Sequence, residues 1–184
     1  GLLSTLVIVL ALPAYYLMSV KPDPMLPDGL TQPPSFVGRD ACISCHKTEY
    51  DQWRNSDHDR AMAPATVDTV LGDFNNVLFE HGGVISRFFK RDNNFYVNTR
   101  GPDGEKADFQ ITYTFGATPL QQYLVSFPGG RLQCLTIAWN VAKRRWYALP
   151  NHTNDDSDWL HWTNGAQNWN GMCAECHSTN LKKN

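Results

Sequence analysis

Two copies of one five-residue pattern constrain this chain more than any other feature: two cysteines separated by two residues, then a histidine. The copies are Cys42-Ile43-Ser44-Cys45-His46 and Cys173-Ala174-Glu175-Cys176-His177. This spacing is the attachment signature of c-type haem. The two thiols can bond to the two vinyl groups of one porphyrin, and the histidine then supplies an axial nitrogen to the iron. The sequence therefore predicts two covalently attached haem c groups.

Two other chemistries use cysteine pairs at this spacing. Four thiolates satisfy the tetrahedral preference of zinc, so the two pairs could hold one ion together. A thioredoxin-like redox pair also has two residues between its cysteines. Neither chemistry explains a histidine directly after each pair, and the redox pair predicts one motif in a βαβ setting rather than two far apart. The haem interpretation is favoured for these reasons.

Four further histidines are candidates for the second axial position of each iron. His58, in a polar loop after Trp53, and His161, before the second motif, are preferred, and His81 and His152 are ranked below them. The sequence does not decide which histidine serves which haem. An iron with two histidine ligands changes little in structure between redox states, which favours electron transfer over binding of a substrate to iron.

Three sulfur-bearing side chains have other expected roles. Met62 and Met172 could act as thioether ligands, which would raise the reduction potential, but packing is the favoured role of both. Cys134 alternates with Leu132 and Thr136 as on one face of a strand, so we predict a small buried thiol with no disulfide partner.

The N-terminal part of the sequence predicts a membrane anchor over residues 1–21. Residues 2–20 contain no charge and as a helix would reach about 28 Å, close to the ~30 Å hydrocarbon core of a bilayer. A secretory signal peptide is the alternative. Residues 22–35 are rich in proline and predict a stiff linker. Because haem c is attached outside the bacterial cytoplasm, these features predict a single-pass inner-membrane protein with its haem domain in the periplasm.

The predicted fold class is α+β: the anchor, then a dihaem domain over residues 36–184 with short haem-bearing helices and an inserted antiparallel β-module. The first of these helices is predicted to end near Asn55. The module, about residues 71–149, is predicted from period-two patterns separated by turn signals. Its predicted strands are 77–80, 84–90, 95–99, 107–115, 122–127, 131–140 and 145–149.

The net charge argues against one class of partner. Lysine and arginine number 16 and aspartate and glutamate 18, giving a formal charge of −2. No basic surface is therefore expected for nucleic acid. The expected partners are redox proteins, in particular subunits of a membrane complex, with the N-terminal helix contacting the lipid.

The first motif and its flanks resemble the multihaem cytochromes c related to cytochrome c-554 and the pentahaem nitrite reductases. The resemblance rests on Gly38-Arg39-Asp40-Ala41-Cys42-Ile43-Ser44-Cys45-His46, followed by Tyr50, Trp53, Ser56 and His58. In that family a haem motif is commonly followed by Trp-x-x-Ser-x-His, whose histidine is an axial ligand. The resemblance implies this role for His58.

The rest of the chain resembles the N-terminal part of such cytochromes that are joined to tetratricopeptide repeats. The stretches that carry this resemblance are His161-Trp162-Thr163, Phe115-Gly116-x-x-Pro119-Leu120-Gln121-Gln122-Tyr123-Leu124, Gly130-Arg131-x-Gln133 and residues 168–181. It implies haem binding and electron transfer.

These features predict a membrane-anchored dihaem cytochrome that works as an electron carrier rather than as a catalyst, as a subunit of a respiratory or photosynthetic complex. Two alternatives stay open. One is part of a multihaem oxidoreductase acting on a small nitrogen compound, which requires an iron with an open coordination position. The other is a scaffolding or sensory protein without redox function, with the β-module as its binding surface.

Overall fold

The structure, a computed structural model, describes residues 35–150 and 152–181. The chain divides into two compact units, Gly1–Gly38 and Arg39–Asn184. Of the first unit, residues 35–38 are described, and they form neither helix nor strand. The elements below all belong to the second unit.

Nine strands, all paired antiparallel, make up most of the described part of the second unit. They are β1 (Met62–Pro64), β2 (Val77–His81), β3 (Val84–Arg91), β4 (Asn94–Arg100), β5 (Lys106–Phe115), β6 (Leu120–Phe127), β7 (Arg131–Cys134), β8 (Ile137–Asn140) and β9 (Arg145–Ala148). Tight turns join neighbours in the chain. Between β3 and β4, Asp92 and Asn93 both have positive φ (48° and 65°), which suits the two-residue hairpins that match strand twist.

The strands form one sheet in the order β2-β3-β4-β5-β6-β8-β9. The short strand β1 pairs with the end of β5, placing Met62 opposite Phe115. Strand β7 pairs with the second half of β6, and β8 pairs with its beginning. The sheet curls until β9 comes close to β2, so it is nearly closed.

The main core fills the inside of this curved sheet with aromatic side chains. Phe74, which precedes β2, is 1 % exposed and lies at its centre. Its ring meets those of Phe88, Phe95, Tyr123 and Trp146 edge to face, at centroid distances of 5.0–5.6 Å. Edge-to-face pairs add about 0.5–1.5 kcal/mol each beyond the burial of area.

A second, smaller core lies on the other face of β5, β6 and β7. Leu124 and Cys134 point to this face, since side chains alternate along a strand. Trp169 and Ala174 cover them from the C-terminal segment, and Cys173 packs at the margin. This smaller core attaches the second cysteine motif to the sheet.

Within residues 35–150 and 152–181, the helices are few and short. They are α1 (Lys47–Trp53), α2 (Trp169–Met172) and α3 (Ala174–His177), with 3-10 turns at Arg39–Cys42, Pro128–Gly130 and Gly165–Gln167. Helix α1 ends before Asn55, whose φ is +63°. In the described part of the chain, the core is therefore formed by the sheet and not by helices.

The predicted fold class is wrong, because it gave the helices too large a part of the fold. We expected a helical haem domain with a β-module inserted into it, whereas the described residues form mainly one nearly closed sheet with short helical turns at its edge. The reason is physical: α1 buries no residue fully, and α2 and α3 are four residues each, too short to build a core. The sheet carries the fold instead.

The predicted strands are confirmed with two differences. The predicted strand 131–140 is two strands, because the chain leaves the ladder at Leu135 and Thr136. There the backbone bonds to other partners: Leu135 N–H donates to Tyr123 (3.0 Å), and Thr136 C=O accepts from Leu149 (2.9 Å). Strand β1 was not predicted, because three residues are too few to show a period.

The expected single-pass inner-membrane location is also corrected. No helix within residues 35–150 and 152–181 is long and apolar enough to cross a bilayer. The segment predicted to span, residues 1–21, lies outside the described residues, as does nearly all of the predicted linker over residues 22–35. The structure therefore gives no support to a membrane-spanning helix or to the location derived from it.

Candidate haem-attachment sites

The first motif forms one exposed turn. The N–H groups of Cys45 and His46 both donate to the carbonyl of Cys42, at 3.3 and 2.9 Å, and helix α1 begins directly afterwards. Both thiols are exposed, and the His46 side chain is 69 % exposed, 4.0 Å from the Glu49 carboxylate. The turn thus presents two thiols and an imidazole to the outside of the described unit.

The second motif forms the same turn. The N–H groups of Cys176 and His177 donate to the carbonyl of Cys173, at 3.2 and 3.1 Å. It is less open than the first turn, because Ala174 is buried and Cys173 half-buried, whereas Cys176 and His177 are exposed. Burial raises the pKa of the Cys173 thiol, with the neighbouring Cys176 as a smaller cause.

The shared turn fits the chemistry of haem attachment. In both motifs the two cysteines are free thiols, as thioether formation requires, and the histidine follows within the same helical turn. The zinc alternative is not supported: across residues 35–150 and 152–181, no three or more His, Cys, Asp or Glu side chains are grouped to hold a metal ion.

Polar side chains fasten the second motif to β7. The side chain of Asn170 accepts from Leu132 N–H (2.8 Å) and donates to the carbonyl of Gly130 (3.2 Å). Asn168 caps the start of α2 by accepting from Gly171 N–H (3.0 Å) and donates to Gln133 (2.9 Å). These bonds fix where the segment leaves the sheet and therefore where Cys173 lies.

Trp169 leaves one buried donor beside the second motif. The side chain is 7 % exposed, and its Nε1–H has no hydrogen-bond partner among the described residues. Trp169 stands one helical turn before Cys173, whose N–H donates to its carbonyl (3.0 Å). A buried donor without an acceptor is costly. It is compatible with a site completed by a group that carries acceptor oxygens, as the propionates of haem do.

A groove opens next to His177. The imidazole meets the ring of Phe115 edge to face, with the centroids 5.0 Å apart. The groove has a volume of about 200 Å³ and is lined by His177, by the β5–β6 corner from Phe115 to Gln122, and by Asp57 and Ala61 from the loop after α1. The second motif and the loop that carries His58 therefore border the same groove.

The Trp-x-x-Ser-x-His segment after the first motif is an ordered turn. Ser56 Oγ accepts from Asp59 N–H (3.3 Å), so the serine closes the turn on which His58 is exposed. The Asp59 carboxylate accepts from Arg39 (3.0 Å), and the Arg39 guanidinium lies over the Trp53 ring, 5.3 Å from its centroid. The turn is thereby tied to the residues that precede Cys42.

The other three candidate histidines lie together elsewhere. The rings of His81 and His152 meet edge to face with centroids 5.0 Å apart. His152 and His161 line one narrow cavity of about 10 Å³, room for a single water molecule. His161 is 1 % exposed, and its Nδ1 is 2.8 Å from Thr163 Oγ1. The structure thus places the loop that carries His58 beside the groove of His177 and brings the other three histidines together, with His152 and His161 lining the small cavity.

The hydrogen bonds of His152 define its protonation. Asn154 Nδ2 donates to the carbonyls of His81 and Gly82, so its Oδ1 is an acceptor and receives the Nε2–H of His152 (3.0 Å). Nδ1 of His152 then accepts from the Thr136 hydroxyl (2.7 Å). Both ring nitrogens are used by the neutral imidazole. Burial lowers the pKa of His152, against the Asn154 hydrogen bond, which raises it.

This environment predicts lower stability in mild acid. The pKa values of His152 and His161 are both lowered, chiefly by burial, so the unfolded chain takes up protons before the folded one. Their contribution to the free energy of unfolding is complete above the unfolded value of about 6.5 and falls as the pH drops through the folded values. Urea unfolding at about pH 7.5 and about pH 5.5 measures the fall.

A substitution at His152 tests how much of this loss of stability at low pH comes from that residue. His152→Gln removes a titrating group from the cluster, so the difference in free energy of unfolding between the two pH values is expected to shrink. An exposed substitution that removes no titrating group, Leu78→Thr, is expected to leave the difference as it was. Equal stability of the unaltered protein at both pH values would contradict the expectation.

The remaining sulfur atoms lie within packed regions or at the surface. Cys134 is buried, as predicted, and burial raises its pKa well above the usual range. Met62 is half-buried against the smaller core, and Met172 is 60 % exposed on α2. The roles of the methionines, and of the histidines as iron ligands, stay predictions.

Sequence reasoning missed the residues that position the second motif. Phe115, Gln133 and the capping side chain of Asn168 act through contacts between segments that are distant in the chain. The asparagines on either side of Trp169, just before the second motif, were the only local signal, since asparagine favours helix N-caps.

Residues 41–70 match the model of one protein family, described as cytochrome c554 and c-prime. The match covers the first motif, helix α1, the turn with His58 and strand β1, which is 30 of the 184 residues. No curated protein and no solved structure matches the chain.

This match supports the class of protein that the first motif predicts. It favours a cytochrome c554-like segment with covalently bound haem c and a role in electron transport. Of the resemblance stated from the sequence, the relation to cytochrome c-554 is confirmed for this segment. The narrower relation to cytochromes joined to tetratricopeptide repeats is not addressed by it.

Proposed function

We propose that this chain is a dihaem c-type cytochrome that carries single electrons between redox proteins. The observation that carries the proposal is the common geometry of the two motifs. In each, the N–H groups of the second cysteine and of the histidine donate to the carbonyl of the first cysteine. Only the first motif lies within the matched residues 41–70, so the second haem rests on this geometry.

The residues of the two turns have separate tasks. Cys42, Cys45, Cys173 and Cys176 would anchor the porphyrins, and His46 and His177 would hold the irons. Bound haem supplies an iron that alternates between ferric and ferrous states and so accepts and donates one electron at a time. The sheet supports the second site through the smaller core and through Phe115, whose ring contacts that of His177.

The openness of the first motif supports a protein partner. Cys42, Cys45 and His46 are all exposed, so a group attached there would keep an accessible edge in the described unit. Electron transfer between proteins uses such edges, often through small, weak interfaces. We therefore propose redox proteins as partners and a place in a respiratory or photosynthetic electron-transfer complex.

A relation to the tetratricopeptide-linked multihaem cytochromes is also proposed. It is supported by the stretch from His161 to Thr163 and by residues 168–181, which lie beyond the family match. These residues fasten the second motif to the sheet, through the hydrogen bonds of Asn168 and Asn170. A related chain would be expected to keep this attachment.

Spectroelectrochemical titration of the full chain tests the proposal. We expect two one-electron steps and a ferric state that is low-spin at both irons, as two strong axial ligands produce. A ferric protein with a high-spin iron that also turns over nitrite or hydroxylamine would instead support an oxidoreductase. A preparation with no redox-active absorption would contradict the proposal.

A further inference from the structure

We propose that His58 is the second axial ligand of the iron held by His177, although His58 belongs to the segment of the first motif. The inference rests on the proposed function, since it needs a haem at each motif. It assigns one histidine to one haem, a pairing that the sequence leaves open. Three features of the molecule support it: the backbone attachment of the two segments, the groove between them and the surroundings of the other histidines.

Both segments are attached to the same corner of the sheet. The carbonyl of Ala61, three residues after His58, accepts from Gly116 N–H (2.7 Å), and Met62 pairs with Phe115 in the β1–β5 ladder. On the other side, the His177 imidazole packs on the ring of Phe115. The residue pair Phe115 and Gly116 therefore holds the His58 loop on one side and His177 on the other.

The groove between these attachments is bordered by His177 and by residues on both sides of His58 in the chain. His177 forms one wall, and Asp57 and Ala61, which flank His58 in the chain, form another. An axial pair must reach one iron from opposite faces of a porphyrin. A haem bound through Cys173 and Cys176 would lie beside His177, and the loop across the groove carries His58.

His58 is also free to turn into the groove. Its side chain is exposed, and its ring makes no hydrogen bond within residues 35–150 and 152–181. Hydrogen bonds of the Ser56 and Asp59 side chains fix the backbone of the turn, whereas the imidazole can still adopt different rotamers. An axial ligand needs both properties.

The other three histidines are occupied. His152 uses both ring nitrogens in hydrogen bonds to Thr136 and Asn154. His161 is buried, with Nδ1 beside Thr163, and faces a cavity that has room for one water molecule. His81 packs against His152. Bringing any of them onto an iron would require these contacts to break, whereas the His58 ring has no hydrogen bond to lose within the described residues.

The test uses a full chain that keeps only the second haem. In a Cys42→Ala/Cys45→Ala background, ferric absorption and paramagnetic resonance spectra report one iron. We expect a low-spin signal that becomes high-spin on His58→Ala and returns when imidazole is added. His81→Ala, which removes another exposed histidine, is the matched control and is expected to keep the low-spin signal. Imidazole rescue shows that the haem site is still folded.

A reciprocal background gives the opposite expectation. With Cys173→Ala/Cys176→Ala, only the first haem remains, and His58→Ala is expected to leave its spin state unchanged. The proposal is overturned if His58→Ala makes the first haem high-spin, or if it leaves the second haem low-spin. It is also overturned if Met62→Leu, and not His58→Ala, removes the low-spin signal of the second haem, because Met62 would then be the ligand. Absence of haem from every background would instead refute the proposed function.

Discussion

Replacing Cys173 and Cys176 together by alanine is expected to halve the haem bound to the protein, from two groups per chain to one. The covalent attachment of haem c consists of its thioether bonds, and both thiols of the second turn are lost. The substitutions are compatible with the fold, because Cys176 is exposed and Cys173 lies at the margin of the smaller core. Pyridine haemochrome absorbance per mole of chain measures the loss.

Two matched variants sharpen this result. Cys42→Ala/Cys45→Ala is expected to give the same loss, because its turn has the same geometry. Cys134→Ala removes the buried fifth cysteine and is expected to keep two haems. The expectation fails if the second-motif variant binds as much haem as the unaltered chain, or if Cys134→Ala loses one.

Phe74→Ala is expected to lower the free energy of unfolding by about 3–5 kcal/mol, the range for deleting a buried phenylalanine. The side chain is 1 % exposed and meets four aromatic rings, so the neighbours cannot close the space without moving together. Urea unfolding of the variant and the unaltered protein at neutral pH measures the difference.

A surface substitution on the same sheet provides the control. Leu78 on β2 is 64 % exposed, and Leu78→Thr keeps a residue with good strand propensity, so the change should lie within about 0.5 kcal/mol. If Phe74→Ala cost no more than Leu78→Thr, the aromatic cluster around Phe74 would not be the centre of the core.

The strands could be predicted from the sequence because their information is local. Alternation such as that of Phe109, Ile111, Tyr113 and Phe115 shows a strand with one apolar face. The turn residues Asp92 and Asn93 then mark where the chain reverses. These signals found the members of the sheet, but they carry no information on its order or on how far it curls.

The fold class could not be predicted because it depends on what the helices bury. Cysteine motifs in helical turns suggested a helical domain, but α2 and α3 are four residues each and lean on β7 through Asn168 and Asn170. Nothing in the spacing of Cys173, Cys176 and His177 shows that a sheet face lies behind them.

The candidate site, like the fold, has one part that the sequence predicts and one part that it does not. The covalent attachment points follow from residue spacing, so both turns could be located from the sequence. The surroundings of the remaining histidines do not, because His161 stands 12 residues before Cys173 in the chain yet is buried beside Thr163 and the cavity it shares with His152. Proximity in sequence was a poor guide to proximity in space here.

The most direct test of the central claim is the number of haem groups that stay on the unaltered full chain after extraction with acidified acetone, which removes haem that is not covalently bound. Haemochrome absorbance and intact mass together give this number. Two groups per chain are expected, one for each turn. A colourless chain with four unmodified motif cysteines, or a chain carrying one haem, would contradict the claim.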